Sequence, residues 1–301
     1  MSREFKDMRL IAGHDYRDSF RSRRMLVWMI LYLCVAVGST FIFCQVLRAV
    51  EREIAKVAAV ETGEKAGGVT ESLQKSKAFR EIVNNLIEEP ELADQLLSLP
   101  PLVLFYAWFS FTFMPLLVII LCSDTIARDI QTRYVRFNLF RTSRAAYVTG
   151  KSVSAASLLL AALLVSGLAS MVVGAFRLHP FDFFAVLPHI LFFVVKCWVF
   201  MLAFLGIALM ASQLRSSPLQ AQILGLLTYF FLMILGPIAR MKAGPGLARL
   251  WELGNLISPG PKVAGLWMPD IASNLKAAAF SAGLGLFYFA IGFLVFSRRD
   301  L

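Results

Sequence analysis

Charge is scarce in this chain of 301 residues, at 17%, where a typical soluble domain has about 25%. Histidine (three) and cysteine (four) are scarcer still. With 58% of residues hydrophobic and a mean hydropathy of +0.67, so much apolar surface cannot all be hidden inside a water-soluble particle of this size. A soluble enzyme, a disordered chain and a disulfide scaffold are therefore excluded as the main body. Cys34, Cys44, Cys122 and Cys197 all fall within long apolar runs. They are spaced like neither a disulfide framework nor a zinc site, and read as packing thiols. His14, His179 and His189 scatter over different loops, which excludes a histidine metal cluster.

What is abundant is apolar length. Six runs reach the roughly 20 residues that a helix needs to cross a bilayer: Met25–Leu47, Leu102–Cys122, Ser152–Phe176, Ile190–Met210, Ala221–Ala239 and Ala277–Phe296. The fold expected is all-α, a polytopic membrane protein with six transmembrane helices. Lys196 is the single formal charge inside the runs. The first run follows a charged stretch, is too long for a signal-peptide core and lacks a small-x-small cleavage site, so it reads as an anchor that stays.

Six spans put both termini on one side. The segments 1–24, 123–151, 211–220 and 297–301 carry 16 basic residues against seven acidic ones. The segments on the other side balance at 13 of each, and Lys196 completes the net +10. The basic segments belong in the cytoplasm by the positive-inside rule, so both termini are expected to face in. The positive balance is thus a topology signal, and no aromatic-interleaved basic patch suggests nucleic acid.

Between spans 1 and 2, residues 48–101 are too many for a turn and too polar for membrane. Leu47, Val50, Ile54 and Val57 share one helical face, so the first span is expected to continue beyond the bilayer. Gly63, Gly67 and Gly68 break it. Phe79, Ile82, Val83, Leu86 and Ile87 form a second stripe, and a short third helix follows Pro90 through Leu96 and Leu97. This is expected to be an extracytoplasmic helical cap. Residues 240–276 are cut by Gly244-Pro245-Gly246, Pro259-Gly260-Pro261 and Pro269. There Leu247, Leu250, Trp251, Leu256 and Trp267 suggest interfacial pieces along the outer leaflet. Ser170/Gly174 and Ser281/Gly285 permit close helix packing, and Pro115 should kink the second span.

The cytoplasmic side holds the more informative segments. Phe5, Met8, Ala12, Tyr16 and Phe20 share one stripe of a basic amphipathic N-terminal helix, with Gly13 as a weak point. In the loop 123–151, Ile126, Ile130, Tyr134 and Phe137 form a stripe interrupted by Arg128, Asp129 and Arg136. This is either a basic interfacial loop or a docking helix for a cytoplasmic partner. Gly150-Lys151-Ser152 ends like a phosphate loop, but Ala145 stands where that pattern requires Gly and no strand precedes it. It is not a nucleotide site. Lys196 either snorkels to the outer headgroups or contacts an anionic cargo or a polar partner within the bundle.

The order Asp124, Ala127-Arg128-Asp129, Arg141-Thr142-Ser143-Arg144 and Gly150-Lys151, leading straight into a span, resembles the permease subunits of ABC exporters of the second export class. That family's loop often runs from an acid and a Gly-Thr pair to a Ser-Arg and a Gly-Lys before the third span. Arg133 and Tyr134 stand here where Gly-Thr is usual, and Asp129 stands for the common Glu. The closing Phe296-Ser297-Arg298-Arg299-Asp300-Leu301 and the basic Asp15–Arg24 stretch before the first span look like the same family. The resemblance implies a half-transporter in a bacterial inner membrane. Two permeases, a second copy or a paralogue, would sit on two cytoplasmic ABC ATPase subunits that hold ATP and Mg. This chain itself would bind no cofactor, and cargo would move outward. Carried onto this sequence, the ATPase-coupling residues are Asp124, Arg128, Asp129, Arg136, Arg141, Ser143, Arg144 and Lys151.

Three other readings compete. A secondary transporter keeps Asp, Glu or His within its spans for ion coupling, and these runs hold none. A membrane scaffold for a periplasmic partner would use the outer cap but has no need of the arginine-rich loop. An intramembrane enzyme needs a polar triad or paired carboxylates at span depth, and none is present.

Overall fold

In the computed structural model the described residues are 3–21, 24–62, 99–178, 181–240, 254–268 and 270–299. The expected outer stripe Phe79–Ile87, the pieces around Leu96 and Leu247–Trp251, His179 and the last two residues lie outside them. Among the described residues the fold is all-α, without strands. The helices are α1 (Arg3–Arg21), α2 (Arg24–Thr62), α3 (Pro101–Cys122), α4 (Thr125–Gln131) and α5 (Tyr134–Leu139). They continue with α6 (Arg144–Arg177), α7 (Phe183–Leu214), α8 (Pro218–Arg240), α9 (Val263–Trp267) and α10 (Ile271–Ser297).

Each of the six apolar runs lies within one long helix, namely α2, α3, α6, α7, α8 or α10, and these are six candidate membrane spans. Helix α6, with 34 residues, measures about 51 Å at 1.5 Å per residue, well beyond a hydrocarbon core of about 30 Å. Its first two turns are therefore free to carry polar groups. Helices α3 and α8 start on Pro101 and Pro218, where the missing N–H costs nothing. Helix α3 runs through Pro115 without interruption. Only 17% of the most apolar stretch of α2 is buried, against 67% for α7. Val27, Ile30, Val35, Ile42 and Val46 on α2 are exposed and suit a bilayer.

Two helix starts are capped by carboxylates. The Asp182 side chain accepts the N–H groups of Phe184 and Ala185. Asp270 accepts that of Ser273 at 2.9 Å, a favourable N-cap. The Ser273 backbone and hydroxyl donors hold the Asp270 carboxyl below its ordinary 3.8. This cap is therefore complete above that value and fades as pH falls through the lower folded one.

The chain divides into two units. The second comprises Met29–Ser110 and Ala162–Val195. There Tyr106 donates its hydroxyl proton to the Leu163 carbonyl at 2.7 Å, and the Thr40 and Ser170 hydroxyls lie 3.1 Å apart. Phe43 and Phe105 stack at 4.3 Å. Gly174 faces Leu102 so closely that a Cβ would come within 2.6 Å of its methyl.

The first unit comprises Met1–Trp28, Phe111–Ala161 and Lys196–Leu301. Its tightest feature is the crossing of α7 and α10. A Cβ on Gly206 would lie 2.2 Å from the Gly285 carbonyl oxygen, and one on Gly285 would lie 2.3 Å from that of Leu202. The Ser281/Gly285 pair thus faces a neighbouring helix, as small residues in membrane helices commonly do. Lys196 is buried, and its Nζ donates to the Met268 carbonyl at 3.2 Å. One of its contacts is thus a backbone oxygen of the segment before α10.

The loop after α3 differs from the single stripe expected of it. Arg133 has φ 61, a left-handed conformation that ends α4 and turns the chain before α5. Ile126 is therefore fully buried while Phe137 is 70% exposed. A side chain there is strained by about 1–2 kcal/mol, and glycine, usual at this place in the family the sequence resembles, would not be. Arg133→Gly is accordingly expected to raise the thermal midpoint in detergent, with a gain of about 1 kcal/mol. A lowered midpoint would show that the Arg133 side chain contributes more than its strain.

Candidate functional site

Helix α1 is unbroken through Gly13. Its buried face overlaps the expected stripe but is shifted from it. Ala12 is buried and Met8 and Tyr16 are half-buried, yet Phe5 is exposed while Ile11 and Asp15 are buried, so the helix turns a carboxylate inward. It lies against the start of α6 at Gly150, where an added Cβ would meet the Ile11 side chain and the Met8 carbonyl at 2.9 Å. Tyr16 hydrogen-bonds Ser157, two turns further along α6. Burial, then the adjacent Asp15 charge, raises the Tyr16 phenol above its ordinary value, so it stays protonated.

The centre of the contact is Lys151. Its Nζ lies 2.6 Å from Asp15 Oδ1 and 3.0 Å from Asp129 Oδ2. Each of the three side chains is nearly enclosed. Tyr147, one helical turn earlier on α6, donates its hydroxyl to the same Asp129 oxygen. One ammonium and one phenol thus tie α1, α4 and α6 together through two carboxylates. Such a group is favourable only if every member stays partnered.

Helix α4 has an unusual start. Asp124 occupies the cap position but makes no cap bond; its carboxylate pairs instead with Arg128 at 2.5 Å. The cap comes from α7. Ser212 Oγ accepts the backbone N–H groups of Ile126 and Ala127 at 2.8 and 3.0 Å. Ser212→Ala would leave two buried donors without an acceptor, at a cost of about 1–3 kcal/mol. The expected result is a lowered midpoint and faster hydrogen exchange at those two amides; unchanged exchange would remove Ser212 from this role.

Helix α6 begins with the Ser143 hydroxyl accepting the Ala146 N–H at 3.1 Å. Arg144 turns to the end of α10, where its Nη1 donates to the carbonyls of Phe296, Ser297 and Arg299 at 2.9, 2.8 and 2.8 Å. Of the expected coupling residues, Asp124, Arg128, Asp129, Arg144 and Lys151 therefore engage partners within the chain. Arg136, Arg141 and Ser143 are exposed.

Two cavities border this arrangement and share Asp15, Asp18 and Lys151. One of about 380 Å³ is lined with charge, including Asp124, Arg128 and Asp129. The other, of about 510 Å³, lies between α1 and α5 and is lined by Leu10, His14, Tyr134, Phe137, Phe140 and Arg141. Phe140 is 87% exposed and Leu10 70%. A protruding aromatic rim beside a cationic side chain, backed by a braced polar core, is an arrangement that can receive a partner. Among the described residues no group of His, Cys, Asp and Glu could hold a metal.

Asp15, Tyr147 and Ser212 escaped the sequence reading as members of this site. Asp15 had a weak signal: it is the acid of that helix that shares the face of Ile11 and Ala12. Ser212 had none, because a small polar residue near the end of a span is commonplace.

The six candidate spans and the braced helical elements beside them define a multi-pass membrane protein. The family model of the ABC-2 family transporter proteins matches residues 9–301, and the chain belongs to that family. It is a membrane-embedded permease subunit of an ABC transporter. No curated protein sequence matches it at a significant level.

Proposed function

We propose that this permease is the membrane half of an ATP-driven exporter in a bacterial inner membrane, with both termini cytoplasmic. A separate ABC ATPase subunit binds ATP and Mg and docks on the groove between α1 and α5. A second permease copy or a paralogue completes the transporter. The observation that carries the reading is the exposed Phe137–Phe140–Arg141 rim standing on a buried polar brace. Charge distribution supports the orientation, because the segments bearing α1, α4 and α5 hold most of the unbalanced Lys and Arg. The absence of Asp, Glu and His from the six apolar runs argues against an ion-coupled carrier.

In this mechanism Arg136, Arg141 and Ser143 meet the ATPase surface. Asp124, Arg128, Asp129, Arg144 and Lys151 pass its movement inward. Closure of the ATPases on ATP displaces α4 and α5; the Lys151 brace makes α1 and the start of α6 follow. Span displacement then moves cargo outward.

The test is purification in mild detergent from the native host. The expected result is recovery with a chain carrying a Walker A sequence. A Phe140→Asp/Arg141→Glu double variant, altered only at exposed positions, should fold normally yet lose that chain by at least tenfold. Repeated isolation without an ATPase, or full retention by the double variant, would overturn the reading and favour a membrane scaffold.

A further inference from the structure

Every terminal carbonyl of α10 has a donor. Ser297 Oγ serves Leu294, the Arg298 N–H serves Val295, and the Arg299 N–H serves Phe296. Arg144 then adds its guanidinium to Phe296, Ser297 and Arg299. Helix ends leave such carbonyls unsatisfied and carry partial negative charge, so local donors alone would suffice for most of them. The guanidinium therefore does more than complete a cap: it comes from the first residue of α6 and grips three carbonyls with one nitrogen. Beside it, the Phe296 ring is fully buried and stacks on Tyr147 at 6.4 Å, with the planes 19° apart. Tyr147 is the residue that donates to Asp129 of α4. Hence α4, the start of α6 and the end of α10 meet at one place, through one aromatic pair and one guanidinium.

We infer that Arg144 is a positioning residue that clasps the end of the last span to the coupling loop, so that displacement of the loop is delivered directly to α10. The inference rests on the permease reading above and adds a second route for the motion, beside the one through Lys151. Helix α10 crosses α7 at Gly206 and Gly285 with backbones nearly touching, so a pull on the end of α10 reaches α7 without slack. A lysine at 144 would keep the charge and a single donor nitrogen, but on a shorter, flexible stem without the rigid guanidinium plane that aims Nη1 at the carbonyls.

The test uses the full complex in nanodiscs, with spin labels at exposed positions in a Cys34→Ser background. One distance pairs Gln131→Cys, exposed at the end of α4, with Leu219→Cys on α8; the other pairs Ser297→Cys with Leu219→Cys. Both should shift between the nucleotide-free and the ATP–vanadate states. In Arg144→Gln the Gln131 shift should persist, with ATP hydrolysis within about twofold of the parent, while the Ser297 shift falls to less than half. Arg144→Lys should restore part of it. A general loss of structure would diminish both shifts together, and conservative rescue separates positioning from mere packing. Should Arg144→Gln not yield folded complex, Arg144→Lys carries the same comparison as a partial loss. A full Ser297 shift in the altered complexes overturns the clasp alone. No shift at Gln131 in the unaltered complex overturns the coupling reading and the clasp with it.

Discussion

Lys151→Met is expected to lower stability by about 3–5 kcal/mol, the usual cost of removing one partner from a buried ionic group. The substitution keeps the length and most of the volume of the side chain, so packing is not the cause. It leaves Asp15 and Asp129 as two enclosed carboxylates with no intervening cation, where one now lies 2.6 Å and the other 3.0 Å from Nζ. The least costly escape is for α1 to leave α6 and carry Asp15 into water. The expected signature is therefore local before it is global: amides 11–16 lose hydrogen-exchange protection, and the thermal midpoint in detergent falls. Adding Asp15→Asn and Asp129→Asn removes both orphaned charges and should recover at least half of the loss. Unchanged protection in α1 with Lys151→Met would show that apolar contacts at Ile11 and Gly150 hold the helix unaided.

Gly285→Leu has a comparable effect through a different cause. Even the first carbon of a side chain at 285 would fall 2.3 Å from the Leu202 carbonyl oxygen, and at 206 it would fall 2.2 Å from that of Gly285. Backbone atoms cannot swing aside as a side chain can, so α7 and α10 must separate by more than an ångström. Overpacking costs about 1–3 kcal/mol for added methylenes in a well-packed core, and Gly285→Leu should lie at or above the top of that range. Gly285→Ala and Gly206→Ala should fall within it, and the double alanine variant should cost less than the sum, because the helices separate only once. Gly283→Ala is the control, since nothing lies within 4 Å of its added carbon. Equal midpoints for the 283 and 285 alanine variants would mean that the crossing yields freely.

The large features were legible because they depend on local chain properties. Six apolar runs separated by charge or proline can only become spanning helices, since a lipid-exposed backbone must satisfy its own hydrogen bonds. The arginine-rich loop before Lys151 stood out for a similar reason, as charge concentrated beside an apolar run. The residue partners were not legible. Lys151 meets Asp15 across 136 positions, and Ser212 caps a helix 86 positions earlier; no periodicity records such pairs. Arg144 was marked only by the Ser-Arg pair of the family the chain resembles, and its carbonyl partners on α10 have no side-chain signature at all. The turn at Arg133 was hidden because the residue is not glycine, so its positive φ appears only in the folded chain.

Hydropathy and charge order thus set the class, the number of spans and the sidedness expected of them, because transfer to lipid acts on each segment separately. The direction in which α1 faces, the split of the loop into α4 and α5, and the division of the arginines between an exposed rim and an internal clasp were decided by packing. Each depends on which distant carboxylate, carbonyl or hydroxyl lies within about 3 Å, and only the assembled helices bring those atoms together.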